Sequence, residues 1–187
     1  MFGIRHTLAA AAGVLLLAGS AYAAEPFTLS SSNFKDGTLM PKKMANANKS
    51  NPNCVGENVS PALSWANPPA GTKSYALLML DPEGRPPGGV SHWVAYGIPV
   101  SVTGFAEGEV SKPSDKYVGG KSLMGVGNYS GPCTPPGAPH HYMLTLYATD
   151  LEPTALKSGM TRDEVLKALE GHVKVATSLI GLFKNPY

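Results

Sequence analysis

The chain has 187 residues, room for one domain with a substantial core. Fifteen basic and 13 acidic residues leave a net charge of +2, and nothing in this sparse charge suggests a nucleic-acid-binding stripe or an acidic tail. Hydrophobic residues make up 43%, too many for a disordered chain, and 21 glycines with 17 prolines demand many turns, so the composition points to a mainly β architecture.

Residues 1–23 read as a secretory signal peptide: a short basic start at Arg5 and His6, an uncharged apolar run from Leu8 to Ala18, and a small-x-small site at Ala21-Tyr22-Ala23. The apolar run is shorter than the ~20 residues a membrane span needs, so stable membrane insertion is not expected. The mature chain then begins at Ala24, forms a single domain over 24–187, and resides in the periplasm or is secreted. Removal of Arg5 leaves 14 basic against 13 acidic residues. In an oxidising compartment the two cysteines, Cys54 and Cys133, read as a disulfide; the alternative is two buried free thiols.

Phe27–Ser30 reads as a first strand and Lys35-Asp-Gly37 as a turn. Pro41–Asn58, rich in asparagine, reads as a long loop. Asn58–Trp65 has the character of a strand with Leu63 and Trp65 inward, and Pro68–Gly71 that of a turn. Ser74–Leu80 is an unbroken apolar run of strand length, expected at the centre of a sheet and buried on both faces. The Pro/Gly-rich loop Asp81–Gly89 leads into a strand over Ser91–Pro99, and Gly104–Gly120 reads as a loop or short hairpin. A second stiff loop, Asn128–Pro139, delivers His140, His141 and Tyr142 to a strand over Tyr142–Thr149, with Tyr142, Leu144, Leu146 and Ala148 on one face. Thr161 and Glu164 form a capping box for one helix whose apolar stripe is Leu166, Leu169 and Val173; Gly171 is placed to stop it. Alternation over Val173–Leu182 favours a short strand.

Two loops of one kind each place a histidine at the head of a strand. If those strands are neighbours, Asp81, His92, His140 and Tyr142 converge at one end of a sheet. An Asp beside a His favours imidazolium, whose N–H groups suit an anion. Gly125, Gly127 and Gly131 are candidates for a nest of backbone N–H groups. A zinc site built on His92, His140, His141 and Cys133 is disfavoured, since adjacent residues of an extended chain point opposite ways. A serine triad of Ser91, His92 and Asp81 is disfavoured for the same reason, and no Gly-x-Ser-x-Gly elbow is present.

Several of these segments resemble the phosphatidylethanolamine-binding protein family, in its bacterial Raf-kinase-inhibitor-like branch. They are Asn58–Trp65 with Pro69–Ser74, Asp81-Pro82, His92-Trp93, and Gly131-Pro-Cys-Thr-Pro-Pro-Gly-Ala-Pro-His140 with Tyr142. The likeness runs from Phe27 to about Phe183. It implies a large antiparallel sheet packed on a smaller one with a few peripheral helices. It also implies a small anion pocket lined by Asp81, His92, Gly131, Pro132, His140 and Tyr142, with Glu83, Arg85 and Tyr129 at its rim. No cofactor, metal or catalytic activity comes with the resemblance. The expected partners are a phosphorylated or other small anionic ligand, a protein target, and a second copy in a homodimer. The reading is thus an exported binding protein; the alternative is an interaction module, such as a protease inhibitor or secreted modulator, with a vestigial pocket. The chain departs from the family pattern at Gly84-Arg85, Val90-Ser91, Thr134 and His141. His141 replaces an arginine, and the missing aromatic before His92 widens the pocket.

Overall fold

The structure is a computed structural model describing residues 25–125 and 127–186. The expected signal peptide therefore lies outside the described residues. Among the described residues, nine strands and one α-helix follow in order: β1 (Thr28–Ser30), β2 (Thr38–Leu39), β3 (Leu63–Ala66), β4 (Ser74–Asp81), β5 (Val90–Pro99), β6 (Gly104–Phe105), β7 (Val118–Gly119), β8 (His140–Thr149), α1 (Arg162–Leu169) and β9 (Val173–Phe183). A 3₁₀ turn at Lys42–Met44 interrupts the asparagine-rich loop.

Six strands form the large sheet in the order β2-β9-β8-β4-β5-β7, antiparallel except for the β2–β9 pair. Three form the small antiparallel sheet, β1-β3-β6. The main core lies between them, where Leu29, Leu63, Trp65 and Phe105 meet Tyr75, Leu77, Met79, Trp93 and Leu144. On the outer face of the large sheet, Ala76, Leu78, Val94 and Tyr96 pack under Met160 and the helix residues Val165 and Leu169. Strand β4 is thus buried on both faces, the reason its sequence is apolar without alternation.

Several boundaries move. The strand expected at Asn58–Trp65 begins only at Leu63, because Asn58 takes a left-handed φ of 56° and Pro61 has no N–H to pair. The segment 104–120 holds no hairpin of its own: β6 pairs with β3, and β7 with β5. The capping box at Thr161 is present, but the helix ends at Leu169 and buries Val165 with Leu169, not the stripe through Leu166 and Val173. Val173 instead opens β9, an 11-residue strand that pairs with the whole of β8. Strand β8 itself starts two residues early, at His140.

Cys54 and Cys133 are bonded, with Cα atoms 4.4 Å apart across 79 residues of sequence. The bridge clamps the asparagine-rich loop onto the Pro-rich loop. Around it Asn46 N–H donates to Pro132 O (2.7 Å) and Asn58 N–H to Ala45 O (2.7 Å). At Gly131 a Cβ would stand 1.9 Å from Met44 O, so only glycine permits the two backbones to approach this closely.

Candidate functional site

The Pro-rich loops meet at one end of the large sheet because β4 lies between β5 and β8. Asp81, the last residue of β4, shares the core-facing side with Tyr75, Leu77 and Met79. His140 and Tyr142 share that face from β8, in step with Leu144 and Leu146. His92 should not belong there: it alternates with Trp93, which already faces the core. A register shift resolves this, since Met79 pairs with Trp93 but Leu80 pairs with Ser91, leaving His92 as an extra residue. This bulge turns His92 onto the Tyr142 side, where the rings meet edge to face at 5.0 Å.

The four side chains open on a cavity of about 420 Å³. Asp81 is only 4% exposed and fully engaged. Its Oδ1 accepts the N–H groups of Glu83 (3.0 Å) and Gly84 (2.9 Å), and His140 Nδ1 lies 2.8 Å from its Oδ2. His92 Nδ1 lies 2.9 Å from Ser130 O. A carbonyl can only accept, so Nδ1 carries the proton. Burial pushes the His92 imidazole below its ordinary pKa, outweighing the Ser130 and Gly131 carbonyls and the Asp81 charge. The neutral ring is therefore favoured at His92 and offers a bare Nε2, while the Asp81 carboxylate, expected to favour an imidazolium, pairs with His140. The Tyr142 hydroxyl pairs with Thr134 Oγ1 at 2.7 Å, and burial raises its pKa well above the ordinary value.

The remaining expected residues divide. Gly131 lines the cavity, but its N–H donates to Asn58 Oδ1 (2.8 Å) and that of Gly125 to Ser122 O (3.0 Å), so the glycine nest is not assembled. Pro132 is not part of the wall; its carbonyl secures Asn46. Arg85 stands at the mouth, held in a left-handed turn at φ 51°. Tyr129 is not at the rim: it is wholly buried, and its hydroxyl donates to Met44 O (2.9 Å).

His141 points outward, opposite to His140, and meets Glu83 at 2.6 Å. Burial works to raise the Glu83 carboxyl, but the hydrogen bonds from the His141 ring and amide hold it below its ordinary value. The zinc set His92, His140, His141 and Cys133 is thus not assembled, and Cys133 is in the disulfide. Asp81, Glu83 and His140 do bring one ligand atom each within 4.8 Å of one another, a geometry that could hold a cation.

Asn46, Asn48, Asn51 and Thr134 line the cavity without having been singled out as site residues. The asparagines carried a signal in their spacing. Asn46, Asn48 and Asn51 each accept, through Oδ1, the N–H two residues on, a run of Asx turns that makes a polar loop rigid. Leu123 and Met124, 45% and 48% exposed, add an apolar lip.

Comparison with known proteins agrees with this architecture. A UPF0098 protein of Methanothermobacter thermautotrophicus is 40% identical over 134 residues, covering 71% of this chain and 87% of the relative. The UPF0098 protein YbhB of Escherichia coli is 31% identical, covering 68% and 83%. The crystal structure of E. coli YbcL, described as a new member of the mammalian PEBP family, superposes with a TM-score of 0.75 at 26% identity, covering 84% of this chain and 98% of that one. A phosphatidylethanolamine-binding protein homologue of Chlamydia trachomatis gives 0.71 at 30% identity, covering 84% and 97%. Residues 30–184 match the family described as Phosphatidylethanolamine-binding protein, and on these grounds the chain belongs to that family.

Proposed function

We propose that this is an exported, non-enzymatic binding protein whose pocket takes a small phosphate-type anion or a phosphorylated head group. The observation that carries the reading is the convergence of Asp81, His92, His140 and Tyr142 on one cavity. His140, oriented through Nδ1 by Asp81, presents its other nitrogen to the ligand; in the protonated form this is a charge-assisted donor. His92 presents Nε2 as an acceptor, which suits a phosphate oxygen that still carries a proton. Arg85 adds positive charge at the mouth.

Binding rather than catalysis is supported by the fate of the nucleophiles. Both cysteines are consumed in the disulfide, and Ser91 opens on a different cavity from His92. Export is supported by the character of residues 1–23 and agrees with the disulfide.

The test is calorimetric titration of the mature, oxidised protein with phosphate and phosphoethanolamine on either side of pH ~6.5, the unperturbed histidine value. Saturable binding that weakens at the higher pH, and is lost in a cooperatively melting His140→Ala variant, is expected. Flat titrations at both pH values would instead favour the interaction-module reading, in which the exposed loop around Arg85 carries the contact. A protein partner captured by His140→Ala but not by a deletion of residues 85–89 would establish that alternative.

A further inference from the structure

A second cavity, of about 390 Å³, lies beside the first and shares Arg85, Val90 and Leu123 with it. The two therefore adjoin around the start of β5, with Arg85, Val90 and Leu123 between them. Three cations line the second cavity, Arg85, Lys121 and Arg162, against a single carboxylate, Asp163. That carboxylate is already engaged, since its Oδ1 accepts from Arg162 Nε at 2.9 Å. Arg162 Nη1 donates to Gly88 O at 3.1 Å, so the guanidinium is fixed against the wall with further N–H groups to offer. The neighbouring acid Glu164 is tied into the capping box. Neither Arg85 nor Lys121 forms an ion pair among the described residues.

Ser122 is an independent sign of a ligand. It is only 8% exposed, it lines this cavity, and its Oγ has no hydrogen-bond partner. A buried hydroxyl without a partner is uncommon; Ser122 Oγ lies just beneath the cavity surface, and a turn of χ1 would bring it to an oxyanion seated between Lys121 and Arg162.

We propose that this cavity is a second oxyanion subsite, built from Lys121, Ser122 and Arg162. The ligand class is then an elongated small molecule with two phosphate-like groups, one on His140 and one here, joined past Arg85. The inference rests on the anion-pocket reading above and extends it.

The experiment compares butyl phosphate with a series of α,ω-alkanediol bisphosphates of increasing spacer length, by calorimetry on the mature protein. At the spacer that spans the two cavities, the bisphosphate should bind at least about tenfold more tightly than the monophosphate, because the second contact forms at high effective concentration. Lys121→Gln with Arg162→Gln should abolish that gain and leave butyl phosphate binding unchanged. Lys121→Glu, at an exposed position, repeats the test without disturbing Arg162 and its contact to Gly88. Butyl phosphate binding with no gain at any spacer, or a gain that survives both variants, overturns the second subsite alone. Failure of butyl phosphate itself to bind overturns the first pocket, and this extension with it.

Discussion

The neutral His92 ring, with Nδ1 held by Ser130 O, gives the cavity an acceptor where an anion site ordinarily has a donor. An acceptor without a partner is costly, on the order of 1–3 kcal/mol. Phosphate near pH 7 still carries a proton and can satisfy it; sulfate carries none. Phosphate should therefore bind about tenfold more tightly than sulfate, and His92→Phe should erase the difference, both measured by calorimetry. At the Pro-rich loop, Gly131→Ala would drive a methyl group into Met44 O. A loss of about 3 kcal/mol or more in urea unfolding is expected, since neither backbone can retreat. The glycine was visible in the sequence as part of a motif. Its reason was not, because the carbonyl it must clear lies 87 residues away.

The elements were legible to different degrees. Strand β4 and the helix start could be read directly, one from an unbroken apolar run and the other from a local pairing of Thr161 with Glu164. Strand β9 was underestimated because its outer half is exposed and its hydrogen bonds come from β8, a non-local partner. The bulge at His92 left no mark in the sequence, yet it is what brings the second histidine to the site. Disulfide and Asx turns together make the asparagine-rich loop a wall of the pocket. Replacing both cysteines by serine should lower the unfolding free energy by about 3–5 kcal/mol through the longer loop freed in the unfolded chain. It should also weaken phosphate binding, which calorimetry of the same variant would register.

The molecule as a whole carries opposing titrations. His92 has a folded pKa below its ordinary 6.5, so its contribution is present above that pH and is lost as pH falls below it, when only the unfolded chain takes the proton. Tyr129 and Tyr142 have folded pKa values above their ordinary 10.0, so their contribution is present below pH 10 and is lost as pH rises past it. Urea midpoints should accordingly peak between about pH 7 and 9, inside the window these three side chains define. His92→Asn should flatten the acid limb and leave the alkaline limb in place.

By itself the sequence determined the β-rich class, the family, the central strand, and the four residues Asp81, His92, His140 and Tyr142 as one candidate set. Those are properties of composition, apolar patterning and motifs carried on short stretches of chain. Tertiary structure alone decided that burial favours the neutral His92 ring, that Thr134 pairs with the Tyr142 hydroxyl, that Tyr129 belongs to the core, and that a cationic trough adjoins the pocket. Each of these depends on burial, or on partners brought together from distant parts of the chain, and no local pattern encodes how deeply a group is buried or which distant carbonyl it will meet.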